Sequence, residues 1–152
     1  MRLACLPPPG KSPCVSHVLP PGCALVDLPV KGDARGSLIA LEQGRDVPFA
    51  IARAYYVYAT LPGVDRGFHA HRNLRQFAVA VSGACTMVLD DGRVRSEVRL
   101  DRPELGLTIG PMVWHEMRAF TPGCVLLVLA DALYDEADYI RDYQRFLEAV
   151  RG

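Results

Sequence analysis

Short runs of hydrophobic positions, many alternating with polar ones, recur along most of the chain and are typical of β-strands. The clearest alternation is RVRSEVRL at 93–100, where charged residues take every second position. A DDG turn signal at 90–92 precedes it, and CVLLVLA at 124–130 is apolar throughout, as in a strand covered on both faces. Eight or more short strands at this spacing predict an all-β protein, an antiparallel jelly roll or barrel.

The last segment, DEADYIRDYQRFLEAVRG, changes period. Its apolar residues recur at intervals of three and four, and two acidic residues at its start suit a helix N-terminus. We therefore expect a C-terminal amphipathic α-helix whose apolar stripe, Ile140, Tyr143, Leu147 and Val150, docks on the sheet.

Proline-rich stretches set residues 1–22 apart from the rest. We expect an extended or partly disordered arm there and a single domain over residues 23–152. A chain of 152 residues that is 50% hydrophobic can bury a sizeable core without staples.

Charge and cysteine content exclude several function classes. Seventeen Lys and Arg balance seventeen Asp and Glu without forming a basic stripe, so nucleic acid is not an expected partner. Five cysteines without C-x-x-C spacing argue against a disulfide framework or structural zinc and favour a reducing cytoplasm. No apolar run is long enough for a membrane span, so no membrane association is expected.

Candidate chemistry centres on RGFHAHRNLRQ at 66–76. In a strand, His69 and His71 point to the same face, where two imidazoles can ligate a metal or move protons. With Gly63 and Gly83 the spacing reproduces the first cupin motif, except that Gln76 stands where metal-binding cupins place glutamate.

An amide in place of a carboxylate weakens the case for a metal, because a neutral ligand offsets less of a divalent ion's charge. The second half of a cupin site is represented by Pro111 and His115 in GPMVWHEM, at an unusual spacing. The residues alone leave three alternatives: a catalytic metal site, metal-free acid/base catalysis, and structural or solvated histidines.

Tyrosines in RAYYVY could polarise a carbonyl oxygen. Tyr56 and Tyr58 share one strand face, and Arg53 and Tyr55 share the other. Period alone does not say which face points inward.

Several motifs in order, RGSLIALE, RAYYVY, RGFHAH, IGPMVWHEM, CVLLVLA and YDEADYIRDYQRFL, resemble the dTDP-4-keto-6-deoxyglucose 3,4-ketoisomerases of the cupin superfamily, over residues 25–148. The resemblance implies a cytoplasmic bacterial enzyme that uses no metal or other cofactor. It also implies a homodimer whose subunits exchange N-terminal strand structure.

The reaction that the resemblance implies moves a carbonyl from C4 to C3 of a dTDP-linked 4-keto-6-deoxyhexose through an enediol. Carried over motif by motif, His69 is the expected base, His71 its relay or orienting partner, and Tyr55 a catalytic residue beside the sugar. This assignment selects the Arg53 and Tyr55 face as the inward one.

Substrate-binding roles follow for a second group of residues. Arg35, Arg53 and Arg66 are candidates to hold diphosphate or sugar oxygens, and Gln76 could bond the ligand or a histidine. Arg35 and His115 resemble the subtype that yields the galacto configuration at C4, although the gluco product stays open. A 3-keto product would suit an aminotransferase that makes a 3-amino sugar.

Three rivals remain at this stage. A sugar-nucleotide 3,5-epimerase shares the jelly roll but is expected to pair its histidine with an aspartate. A non-catalytic sugar-binding cupin is a second rival. The third is a metal-dependent cupin enzyme, which a chelator would inactivate.

Overall fold

The computed structural model describes residues 18–152; most of the predicted N-terminal arm lies outside this range. The chain folds into antiparallel strands with one C-terminal helix, which confirms the predicted all-β class. The strands are β1 (Ala24–Asp27), β2 (Lys31–Asp33), β3 (Gly36–Leu38), β4 (Arg53–Val57), β5 (Arg66–His71), β6 (Gln76–Ser82), β7 (Cys85–Asp90), β8 (Arg95–Leu100), β9 (Leu105–Ile109), β10 (Trp114–Arg118), β11 (Val125–Ala130) and β12 (Tyr139–Ile140). The α-helix, α1, spans Tyr143–Arg151.

Two five-stranded sheets form the barrel, in the orders β1-β9-β6-β11-β4 and β12-β5-β10-β7-β8. Alternate side chains of both sheets point into the space between them, where a cluster that includes Met87, Leu107 and Leu126 is buried. β6 and β11 are also covered on their outer face by the loop between β3 and β4, through Val47 and Phe49. Double coverage explains why β11 is apolar at every position.

The hairpin of β2 and β3 stands apart from the barrel. All six of its strand residues are exposed, and its strands pair only with each other. Arg35, at its turn, binds the carboxylate of Asp33. An isolated two-stranded hairpin has little stability of its own.

The C-terminal helix begins later than predicted, at Tyr143 rather than near Asp135. Asp135 caps a 3-10 helix, Glu136–Asp138, and the chain then forms β12 before Asp142 caps α1. β12 pairs with β5, and this tertiary pairing outweighs the local helical period. Ile140 still packs beside α1, in a cluster with Ala70, Trp114 and Phe146.

Within residues 18–152 the structure contains no helix that is both long and apolar enough to cross a membrane.

Candidate active site

Three histidines meet inside one end of the barrel. His69 and His71 come from β5, and His115 lies opposite His69 on the neighbouring strand β10. The ring centroids are 5.0 Å apart for His69 and His71, 4.5 Å for His69 and His115, and 5.8 Å for His71 and His115. The two motifs that were far apart in sequence therefore form one cluster.

A backbone irregularity in β5 aims His69 at this cluster. The pairing of β5 with β10 shifts register beside His115, and Gly67 and Phe68 both have positive φ, +88° and 59°. A Cβ on Gly67 would lie 2.8 Å from the carbonyl oxygen of His115, so only glycine fits there. Phe68, a bulky residue in the left-handed region, is strained, as often occurs beside functional residues.

Burial keeps the three imidazoles neutral. Desolvation, with repulsion from the neighbouring histidines, lowers the pKa of His71 to about 4 and that of His115 to about 3. Desolvation also lowers the pKa of His69. Nδ1 of His69 and both ring nitrogens of His71 have no hydrogen-bond partner among the described residues. A neutral imidazole with a free nitrogen is a competent base.

The cluster also meets one requirement of a metal site, since one nitrogen from each ring lies within 4.8 Å of the others. Three imidazoles suit a zinc-like ion in number and type. Gln76 adds no anionic ligand to the set, because its amide is neutral; its amide nitrogen donates to the Tyr55 hydroxyl at 2.7 Å. The expectation of a metal-free site stays a prediction.

Tyr55 and Gln76 belong to the opposite sheet, on β4 and β6. Desolvation raises the pKa of Tyr55 to about 12, so the phenol keeps its proton at neutral pH. Tyr56 and Tyr58 are both exposed, so the Arg53 and Tyr55 face of β4 is the inward one.

Strand β12 closes the histidine cluster on a third side, through a residue that was not among the predicted site residues. The Tyr139 ring of β12 packs 5.0 Å from His69 and 4.3 Å from His71, measured between centroids. Arg141 stacks on Tyr139 at 4.1 Å and pairs with Glu136. The family motif YDEADYIRDYQRFL contains these residues, but the predicted helix over this segment concealed their place beside the histidines.

Asp138 faces the cluster as well. Its Oδ2 lies 3.3 Å from Nδ1 of His71, an ion-pair distance, although the contact does not meet hydrogen-bond geometry. An aspartate therefore lies beside one of the histidines, which is the pairing expected of a 3,5-epimerase.

A cavity of about 590 Å³ opens from His69 and is lined by half of the predicted site residues. Arg53, Tyr55 and Arg66 line it, together with Tyr139 and Arg141. Among residues 18–152, neither Arg53 nor Arg66 has a carboxylate within ion-pair distance, and Nε of Arg53 is buried without a partner. Unpaired guanidinium groups in a cavity can bind an anionic ligand.

Arg35 lies apart from both the histidine cluster and this cavity. It lies on the exposed β2–β3 hairpin, with its side chain 89% exposed.

This fold and site define a class of protein. It is a cupin-type barrel whose mouth combines neutral imidazoles, a protonated phenol and free guanidinium groups.

Comparison with known proteins identifies the family. The family described as "FdtA: WxcM-like, C-terminal" matches residues 21–151, so the chain belongs to it. The TDP-4-oxo-6-deoxy-alpha-D-glucose-3,4-oxoisomerase of Aneurinibacillus thermoaerophilus is 50% identical over 118 residues, which are 78% of this chain and 85% of the relative.

Solved structures agree. A 3,4-ketoisomerase from Helicobacter canadensis is 47% identical, with a TM-score of 0.83 over 86% of this chain and 98% of its own. A mutant 3,4-ketoisomerase from Thermoanaerobacterium thermosaccharolyticum, solved in complex with TDP-4-keto-6-deoxyglucose, is 37% identical, with a TM-score of 0.85 over 88% and 96%. These relatives confirm the prediction of a sugar 3,4-ketoisomerase, an isomerase.

The epimerase alternative is more distant. A 4-keto-6-deoxy sugar epimerase from Streptomyces spheroides is 21% identical, with a TM-score of 0.68 over 78% of this chain and 68% of its own. Similarity at this level shows a shared fold only.

Proposed function

We propose that this protein converts dTDP-4-keto-6-deoxy-D-glucose to the dTDP-linked 3-keto-6-deoxyhexose. The observation that carries the proposal is the cluster of neutral histidines at a cavity with two free arginines, in a chain of the 3,4-ketoisomerase family. The negative diphosphate suits Arg66 and Arg53, whose guanidinium groups can make paired bonds to phosphate oxygens.

His69 is the base in this mechanism, because it lines the cavity and has a free buried nitrogen. It removes the proton from C3 while a double bond forms between C3 and C4 and the C4 oxygen takes a proton. The resulting enediol then loses its O3 proton, the carbonyl forms at C3, and C4 takes up a proton. Atoms balance without a redox cofactor.

Tyr55 is placed to stabilise the oxygen that becomes negative. Gln76 donates to the Tyr55 oxygen, so the phenolic hydrogen is free to point at the ligand. A protonated phenol in a buried site stabilises developing oxyanion charge more strongly than water does.

Stereochemistry supports the galacto product. In the gluco ring, the hydrogens on C3 and C4 lie on opposite faces, whereas a galacto product carries its C4 hydrogen on the face that lost the C3 hydrogen. His69, His71 and His115 all come from β5 and β10 of the same sheet. Proton removal and return from this one wall yields the galacto configuration, and its 3-keto group suits a following aminotransferase.

The decisive experiment is an NMR time course of dTDP-4-keto-6-deoxyglucose with the purified protein in deuterated buffer. We expect a C3 ketone and deuterium at C4. A parallel run in ordinary water, where C4 carries hydrogen, should show the small H4–H5 coupling of the galacto ring. A folded protein that converts none of this substrate would overturn the proposal. Deuterium at C5 would favour an epimerase.

A homodimer is the second part of the proposal. Within residues 18–152 the β2–β3 hairpin has no partner strand outside itself. Exposed apolar side chains lie on it and beside it, Leu38 at 58% and Val30 at 51%. Exchange of this N-terminal structure would bring Arg35 to the cavity of the other subunit, which explains why a predicted site residue lies away from its own histidines.

Subunit mixing tests the exchange. Arg35→Ala and His69→Asn variants are each expected to be weakly active, and reassociated mixtures should regain activity, because one site of each mixed dimer receives both native residues. Mixing that restores nothing, with subunit exchange shown by mass spectrometry, would show that Arg35 does not act in the site of the other subunit. Light scattering measures the dimer separately.

A further inference from the structure

The two histidines of β5 open into different cavities. His69 lines the cavity of about 590 Å³ described above, whereas His71 lines a second cavity of about 290 Å³. Arg53 and Tyr139 line both and stand between them. His71, with its side chain only 4% exposed, therefore lies behind His69 as seen from the first cavity.

Asp138 lines the second cavity and is rigidly held there. Its Oδ1 accepts from the Asn73 backbone N–H at 2.9 Å and from the Asn73 amide at 3.1 Å, and its Oδ2 accepts from the Leu74 N–H at 3.3 Å. The same Oδ2 faces Nδ1 of His71 at 3.3 Å. A carboxylate held in this way favours a proton on the facing nitrogen, and such contacts often tighten only when substrate binds.

We infer that Asp138 is a positioning residue that holds the proton on Nδ1 of His71, and that His71 exchanges protons with solvent through the second cavity. Nε2 of His71 is then a free acceptor toward His69. The proton that His69 takes from C3 passes to Nε2 of His71, and the Nδ1 proton leaves to water. This inference rests on the proposed isomerase reaction.

The groups that face His71 come from every neighbouring element. They are His69 on its own strand, His115 on β10, Arg53 on β4, and Asp138 and Tyr139 after β11. Asp131 and Asp135 also line the second cavity, but Asp138 is the carboxylate recorded within ion-pair distance of a His71 nitrogen, so its removal changes the charge directly beside that ring.

Asp138→Asn is the test variant. Its Oδ1 can keep the bonds to Asn73, but its NH₂ group would donate to Nδ1 of His71 and move the ring proton to Nε2. We expect ¹⁵N NMR of the imidazoles to show this change of tautomer. We also expect kcat to fall about tenfold to a hundredfold, the usual cost of losing an outer-shell partner of a functional histidine, with KM little changed.

Isotope transfer tests the exit path. In deuterated buffer the wild-type product should carry solvent deuterium at C4. With Asp138→Asn, a larger fraction of the product should carry at C4 the hydrogen that was removed from C3, because proton exchange at His71 slows. An unchanged tautomer together with unchanged kcat and isotope content would overturn the inference.

Asp46→Asn is the matched control. Asp46 also accepts a backbone N–H, from Glu42 at 3.0 Å, and pairs with Arg45, but it lies in the loop between β3 and β4. The Asp46→Asn variant should be less stable than the wild type, with the same His71 tautomer and the same kcat. If the wild-type protein converts no substrate, the proposed function fails, while the tautomer measurement still decides the role of Asp138.

Discussion

Two buried polar clusters lie back to back on strand β10. His115 points into the barrel mouth, and its neighbour Glu116 points to the other face of the sheet; they are 2% and 5% exposed. The Glu116 carboxylate accepts from the Trp114 indole at 3.1 Å and pairs with Arg95 at 3.3 Å and with Arg118. His115 makes one long contact, between Nδ1 and the Val113 carbonyl oxygen at 3.3 Å.

The difference between the clusters separates structure from function. Both clusters are buried, so burial does not distinguish them. Around Glu116 the charged groups form ion pairs, as Asp90 also does with Arg95, and Tyr143 donates to Asp90. Glu116 Oε2 and Arg118 Nε have no hydrogen-bond partner among the described residues, but both belong to ion pairs. Around the histidines, Nδ1 of His69 and both ring nitrogens of His71 are buried without a hydrogen bond to any of residues 18–152, which costs free energy. A fold tolerates that cost where a ligand supplies the missing contacts.

Substitution of His69 tests the unpaired cluster with the largest expected effect. His69→Asn keeps a polar side chain of similar size but removes the base, so kcat should fall by about 10²- to 10⁴-fold with little loss of stability. The NMR assay and a thermal unfolding curve measure both. Activity close to wild type in this variant would assign the base elsewhere.

Acid should destabilise the protein through the same cluster. The folded-state pKa values of His71 and His115, about 4 and about 3, lie below the ordinary 6.5, so the unfolded chain binds protons first as the pH falls. Stability should be fully present above pH 6.5 and decline from there toward pH 4, by about 1.4 kcal/mol per pH unit for each histidine.

Denaturant titrations across this window measure the slope. His115→Asn should remove one histidine's share of it. A flat profile between pH 6.5 and 4 would show that the histidines are not held neutral by burial.

Glu116→Gln tests the paired cluster and should give the opposite outcome from His69→Asn. Loss of the carboxylate weakens its contacts with Trp114 and two arginines, and should cost about 1 to 3 kcal/mol of unfolding free energy. Because both arginines are partly exposed to water, the loss belongs at the lower end of that range. Turnover should be unchanged; a lower kcat with normal stability would contradict the division between the two clusters.

Chelation carries the smallest expected effect. The proposed proton transfer needs no metal, so overnight treatment with EDTA, followed by its removal, should leave the rate unchanged. Elemental analysis of the untreated protein provides the control. If EDTA inactivated the protein and added zinc or manganese restored its activity, the histidine cluster would be a metal site.

Local patterns predicted the barrel well, because strand period and turn residues depend on neighbours in sequence. The i, i+2 spacing placed His69 and His71 on one inward face, as the structure has them. The error over residues 135–142 has the same origin: Ile140 fits a helical stripe by period, but the pairing of β12 with β5 is a contact between distant segments. Asp138 and Tyr139 were missed with it, since their importance comes from that pairing.

Arg35 shows a different limit. Resemblance to the family nominated it, yet neither its sequence neighbours nor the fold of one chain brings it to the histidines. A residue that acts across a subunit boundary, as we propose for Arg35, leaves no signal in the period of its own segment.

β12 also sets an order in time. The histidines lie on strands from the middle of the chain, but Asp138 and Tyr139 are among its last residues, and α1 holds their segment in place through Phe146 and Trp114. Because synthesis proceeds from the N-terminus, a growing chain can form most of its barrel while the site still lacks a wall. In a chain that folds as it is made, the wall that carries Asp138 and Tyr139 is therefore added after the strands that carry the histidines.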